Sequence, residues 1–266
     1  MTAAVKTKTE PPLLRSDTDG IATLTLNRPA QRNALACELM TACERELDSI
    51  AKDTSVRVVI LAANGPAYCA GHDLKEMRAN PSRDFQEALF RQCSRVMLAI
   101  TRLPQPVIAR VHGPAFAAGC QLVATCDIAV AAASASFSTP GVHIGLFCST
   151  PMVALSRAVS RKAAMEMLLT GEPVTASRAH EIGLVTRVVP VEALDGTIAE
   201  IAQTLIAKSP RILRIGKEAF YRQIEMGLAD AYDYASQVAT ENMMLHDAGE
   251  GIDAFIAKRP PRWTDQ

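Results

Sequence analysis

Ala67-Tyr68-Cys69-Ala70-Gly71-His72-Asp73-Leu74-Lys75-Glu76-Met77 follows a β-like run, Val56 to Ala62, and a Gly65-Pro66 break, then opens onto the polar segment Arg78 to Asp84. A chain leaving a buried strand through small residues and a glycine presents backbone N–H groups with no ladder partner. Such donors must find water, a side chain or a ligand oxygen. A second stretch has the same character: His112-Gly113-Pro114-Ala115-Phe116-Ala117-Ala118-Gly119-Cys120-Gln121-Leu122. It follows a buried strand, Val107 to Val111, and runs into an apolar helical segment. Two N–H groups converging from these loops on one point would make an oxyanion hole. The remaining sequence reads as the scaffold that brings them together.

The chain has 266 residues, 48% of them apolar, enough for one large core. Lys plus Arg total 28 and Asp plus Glu total 28, so the formal charge is zero, which argues against a general nucleic-acid or membrane-surface binder. One Trp and four Tyr provide no stacking platform for single strands. The seven cysteines (Cys37, Cys43, Cys69, Cys93, Cys120, Cys126, Cys148) lie mostly in apolar runs without CxxC pairing, so buried reduced thiols are expected and no metal site. No apolar run reaches the length of a membrane span. Met1 to Pro12 lacks an apolar h-region and any Arg and reads as a disordered tail, which points to the cytoplasm, or in a eukaryote the mitochondrial matrix without a clear transit peptide.

Along the chain, Ile21 to Leu26 alternates after the Asp19-Gly20 turn and reads as a strand. Cys37 to Ala51 and Phe85 to Ile100 carry apolar residues at helical spacing. Strands are expected at Val56–Leu61, Val107–Val111, Asp127–Ala131 and Ala135–Ser138, and a helix at 118–125. From Thr150 the chain is mostly helical, with one strand at 185–189 and a last helix at 247–258 stopped by Pro260-Pro261. The pattern predicts an α/β core over residues 13–205 and a helical region over 206–266.

Leu26-Asn27-Arg28-Pro29 with Asn33-Ala34-Leu35, then Ala70-Gly71-His72-Asp73-Leu74, Gly113-Pro114-Ala115 through Leu122, Cys126-Asp127-Ile128-Ala129 and the Ala179 to Val185 run stand in a telling order. In that order and spacing they resemble the crotonase, or enoyl-CoA hydratase/isomerase, superfamily over about residues 14 to 260. The segment Thr139 to Pro151 is similar to one branch of it, the third group of enoyl-CoA hydratase domain-containing proteins. The resemblance implies a crotonase-like spiral of ββα turns and a helical C-terminal region that builds a homotrimer or a dimer of trimers. It implies an acyl-CoA thioester ligand of fatty-acid metabolism, with coenzyme A as part of the substrate and no permanently bound cofactor. By position the oxyanion donors would be the backbone N–H groups of His72 and Ala118. Arg32 and Ala34 would lie near the nucleotide, and Ala70, Asp73 and Leu74 beside the pantetheine. Phe255 and Lys258 would reach the adenine and phosphate of a neighbouring subunit's ligand.

Hydrating an enoyl thioester requires groups that remove a proton from water and deliver one to carbon. Family hydratases use two glutamates, and by motif position these fall on Gln121 and Gly141. An amide has no useful pKa for the task, and glycine has no side chain. Ordinary hydration is therefore expected to be weak or absent, and a glutamate-based isomerase is disfavoured too. In an extended segment residues 141 and 143 face the same way, so His143 is a candidate replacement. Cys120 reads as a small packed thiol and Asp73 as a carboxylate at a helix start. Three classes stay open: a crotonase-type enzyme doing hydrolysis, decarboxylation or retro-Claisen chemistry, a catalytically silent acyl-CoA binder, or an oligomeric scaffold.

Overall fold

The computed structural model describes residues 10–265; Met1 to Thr9 of the expected tail lie outside the described residues. β1 (Leu13–Thr18) and β2 (Ile21–Leu26) pair antiparallel across Asp19-Gly20, both at positive φ (50° and 79°), as a two-residue hairpin turn requires. The sequence predicts β2 and its turn but not β1. Arg15 and Asp17 hide β1, because an edge strand carries charge on its open side, and there Arg15 pairs with Asp17 at 2.7 Å.

The chain continues through α1 (Cys37–Ala51), β3 (Val58–Ala63), α2 (Leu74–Ala79), α3 (Arg83–Arg102), β4 (Val107–Val111), β5 (Ala115–Phe116), α4 (Ala118–Thr125), β6 (Ile128–Ala132) and β7 (Ser136–Ser138). Then come α5 (Pro151–Ala158), α6 (Arg161–Thr170), β8 (Val174–Thr175), α7 (Ala176–Glu181), β9 (Arg187–Val189), α8 (Leu194–Ile206), α9 (Pro210–Gln223), α10 (Leu228–Met243) and α11 (His246–Ile256). The main sheet has the order β1-β2-β3-β4-β6-β9, parallel from β2 onward. A small second sheet runs β5-β7-β8.

The parallel strands are buried on both faces, which is why they read as continuous apolar runs. Val59, Leu61, Val107, Ala109 and Ala131 point to the large core under α1, α3 and α4. The alternate positions Val58, Ile108, Val130 and Ala132 point the other way, onto Leu194, Ile198 and Ala202 of α8. Each turn of the chain visits the main sheet, then the second layer, then a helix. The second layer is extended by single parallel bridges, Leu35 with His72 and Cys69 with Ala115. These bridges stack the loops after β3 and β4 on each other.

Candidate active site

The loop after β3 is held on both sides. Asn33 is fully buried; its amide donates to the carbonyls of Asn64 and Ala67, both at 2.8 Å, and its oxygen accepts from Arg28 N at 2.8 Å. Leu35 N donates to Gly71 O (2.7 Å), Ala70 N to Arg32 O (3.0 Å) and Asp73 N to Leu35 O (3.2 Å). Asp73 caps α2 by accepting from the N–H groups of Lys75 and Glu76, and pairs with Arg28 at 3.0 Å. Burial pushes its carboxyl up, but Arg28 and the two N–H donors outweigh this and hold it below the usual range.

The two glycines of the site set how closely these loops approach. Gly71 has φ +101°, and a Cβ there would stand 2.8 Å from the Ala117 Cβ and 3.5 Å from the Ala118 nitrogen. A Cβ at Gly119 would collide with the Cys69 carbonyl oxygen. Ala117 sits at φ 48°, ψ −117°, a conformation that costs a residue with a side chain about 1–3 kcal/mol. It turns the chain so that Ala118 opens α4 with its N–H free of the helix. Among the described residues neither His72 N–H nor Ala118 N–H donates to a protein acceptor. The α4 dipole adds positive potential at the same end.

Against known proteins, the model of the enoyl-CoA hydratase/isomerase family matches residues 16–266. The chain is 46% identical to the mitochondrial enoyl-CoA hydratase domain-containing protein 3 of Rattus norvegicus over 246 residues, 92% of this chain and 82% of that one. A crystal structure of an enoyl-CoA hydratase from Mycobacterium smegmatis superposes with a TM-score of 0.94 at 55% identity, covering 96% of this chain and 99% of the other. The human enoyl-CoA hydratase domain-containing protein 3 superposes at 0.92 and 45% identity, covering 95% and 100%. The chain belongs to the enoyl-CoA hydratase/isomerase family.

Its fold is accordingly the crotonase-type spiral of ββα turns. Within this enoyl-CoA hydratase/isomerase frame, Gln121 lies one turn into α4 and is buried, with its Oε1 3.8 Å from Cys93 Sγ. Gly141 is buried as well, but not extended as expected. Pro140–Ile144 is a 3₁₀ helix ended by Gly145 in the left-handed region, and Leu146 N donates back to Gly141 O at 2.9 Å. The expectation that residues 141 and 143 face one way is therefore corrected, because Pro140 and Gly145 wind the segment into a tight turn. His143 is half exposed, 3.9 Å from Glu172 and packed over Gly171.

Gly141 also has no room for a side chain. A Cβ there would collide with Leu146 O and stand 2.9 Å from Cys148 Sγ. Placing a glutamate at 141, where the family motif has one, thus needs the 141–148 turn to move. No Asp or Glu occurs in residues 112–125 or 139–150. Burial pushes the thiols of Cys93 and Cys120 up to about 12, so they are protonated at neutral pH.

His72 adds no proton relay. Both ring nitrogens are buried without a hydrogen-bond partner, and the ring packs edge-on to Phe90 with centroids 5.5 Å apart. Burial lowers its pKa to about 4, opposed weakly by the nearby Leu35 carbonyl, so the ring is neutral at pH 7.

The residues expected to surround coenzyme A fall into two groups. Arg32, Ala34, Ala70, Asp73 and Leu74 are brought together by the 32–35 and 70–73 pairing, with Arg32, Ala70 and Leu74 exposed. Phe255 stands 85% exposed on α11, so it is not a core phenylalanine. Lys258 lies past the helix end at φ 51°, not on the last helix as expected.

Sequence reasoning missed Arg28 as the partner of Asp73, and it missed a cavity of about 920 Å³ with Gln121 in its wall. Four arginines from three helices rim that cavity, and such a cluster leaves no spacing signal in the sequence. No helix among the described residues is long and apolar enough to cross a membrane. Nor do they include a group of three His, Cys, Asp or Glu able to hold a metal ion.

Proposed function

We propose that this protein binds an acyl-CoA thioester and polarises its carbonyl between the backbone N–H groups of His72 and Ala118, while ordinary enoyl-CoA hydration is weak or absent. One observation carries this: the Gly71 loop and the α4 N-terminus approach so closely that neither Gly71 nor Gly119 has room for a side chain, and both N–H groups are left without a protein acceptor. Preorganised donors of this kind stabilise an enolate or tetrahedral oxyanion by about 2.7–4 kcal/mol each. Hydrolysis, decarboxylation or retro-Claisen cleavage suits a site whose main resource is that field. Around it, Arg32, Ala34, Ala70, Asp73 and Leu74 would hold the coenzyme, and Phe255 and Lys258 would act across a trimer or dimer-of-trimers interface. The name of the rat relative places that protein in the mitochondrion, and the matrix is a fitting compartment for acyl-CoA chemistry.

A catalytically silent acyl-CoA binder or regulatory oligomer is the second reading, favoured by the missing carboxylates and by the closed space at Gly141. Calorimetric titration with a panel of CoA esters tests the binding; affinity no better than about 1 mM for every ester would remove both readings. Turnover of malonyl-type thioesters, with crotonyl-CoA left nearly untouched, separates the enzyme from the silent binder. Gln121→Glu, which leaves the backbone alone, is expected to raise crotonyl-CoA hydration on the order of 10²-fold. An unchanged rate in a folded, CoA-binding variant would put Gln121 away from the reacting carbons.

A further inference from the structure

The cavity beside Gln121 has a polarity that a plain hydrocarbon tail does not explain. Its volume of about 920 Å³ falls within the range of ligand sites. Its inner wall is Gln121, Ala124 and Thr125 of α4 with Met97 of α3. Gln121 lies about 4.5 Å along the helix axis from Ala118, at a rise of about 1.5 Å per residue. The cavity therefore begins one turn beyond the end of α4 where the oxyanion donor lies, and runs along the same helix.

Its outer rim is charged. Arg102 of α3, Arg157 of α5 and Arg214 and Arg222 of α9 line it, against Glu218 and Glu225, an excess of two positive charges. Two of these arginines are engaged already. Arg157 forms a two-pronged pair with Glu225, its Nε donating at 2.7 Å, and Arg222 lies over the Tyr234 ring at 4.5 Å. Arg102 and Arg214 are exposed and make no ion pair among the described residues. Glu218 is the one acid on α9 within a turn of both Arg214 and Arg222, and it too lies outside pairing distance of any cation there.

With a thioester carbonyl seated at Ala118, as proposed above, we infer that the acyl group this chain accepts ends in a carboxylate, held at the far end by Arg102 and Arg214. A guanidinium grips a carboxylate through paired N–H donors, and two unpaired ones on the charged rim of this cavity select an anionic terminus over a methyl. Gln121 fits this arrangement, because an amide in the wall adds no negative charge to the path of an anion. Glu218 limits the attraction and is the residue whose removal strengthens it.

The experiment compares suberyl-CoA with octanoyl-CoA, which match in chain length and differ at the terminal carbon. Calorimetric titration at low ionic strength should show the wild-type protein binding suberyl-CoA at least about tenfold more tightly, with the difference shrinking as salt is added. In the Arg102→Gln/Arg214→Gln double variant the preference should vanish while octanoyl-CoA affinity holds. Glu218→Gln should widen the preference. Equal wild-type affinities, or a preference that survives the double variant, would overturn the carboxylate subsite and leave thioester binding intact. Failure of both esters to bind would take down the thioester reading and the subsite together.

Discussion

His72 illustrates how a residue can be placed by its backbone and constrained by its side chain. The ring is neutral in the folded protein, with a pKa near 4, against an ordinary value near 6.5 in the unfolded chain. The unfolded state therefore binds the extra proton first. The stability that the neutral ring represents is complete above about pH 6.5, erodes as the pH falls, and is gone by about pH 4. Some 2.5 units of difference corresponds to about 3 kcal/mol. Urea denaturation of wild type and His72→Leu between pH 4 and 7 checks this. The variant is expected to lose the His72 share of the slope, and near pH 7 to match or exceed wild type, since two unpartnered ring nitrogens leave the apolar site. Identical pH profiles would place the titration elsewhere. Gly141 makes the opposite point, because its importance lies in what it excludes. Gly141→Ala should cost about 1–3 kcal/mol through overpacking against Leu146 O and Cys148. A thermal midpoint unchanged by that substitution would show the 141–148 turn to be freely adjustable.

Among the elements, α9 is latched to the core by a buried network rather than by an apolar face. Lys217 donates to Ile100 O and Gln105 O, both at 3.0 Å, and to Asp127 at 2.7 Å. Tyr221 donates to the other Asp127 oxygen at 2.9 Å, and Val107 N completes the set at 2.7 Å. Burial lowers the Lys217 pKa and Asp127 pulls it back, so the pair is best treated as one satisfied unit. Lys217→Met strands the Asp127 charge and should cost about 3–5 kcal/mol, read from the denaturation midpoint. A loss under about 1 kcal/mol would mean that α9 is held by something else. The elements themselves were largely legible. α1, β4 and α4 begin and end at Cys37 and Ala51, Val107 and Val111, and Ala118 and Thr125, because their apolar spacing and flanking breaks are unambiguous. β1 escaped because an edge strand alternates charge with only one buried end, and β5 because two residues carry no period. The 3₁₀ turn at Pro140 escaped because it starts two residues after β7, so an extended reading of residues 141–143 simply prolongs that strand. In the candidate site, the glycines, the Asp73 cap and the α4 start could be read from sequence. The Arg28–Asp73 pair and the arginine rim could not, since they join residues 45 or more positions apart, or on different helices, that only the fold assembles.

On the scale of the whole molecule, the C-terminal helices leave a large apolar surface exposed on the single chain. Met244 is 81% and Leu228 77% exposed, with Phe255, Ile256 and Tyr232 similarly bare, while α9 and α10 bury no residue fully. Exposed apolar surface on this scale is the kind that a contact between protein chains would cover. The zero formal charge provides no net repulsion to keep copies apart. A symmetric assembly of three or six copies would cover these helices, and it would bring Phe255 and Lys258 to a neighbour's ligand, which this single chain does not do. Light scattering on the purified protein should give three or six times the mass of the chain. Leu228→Lys with Met244→Lys, both strongly exposed and at opposite ends of α10, should shift that mass toward one chain without unfolding the ββα core. If α11 serves a neighbouring site, the same variant should also weaken CoA-ester binding, because each site loses its contact from the adjacent copy. A wild-type protein that scatters as a single chain, or a dissociated variant with full CoA-ester affinity, would confine the binding site to one chain and leave the apolar helices to another partner.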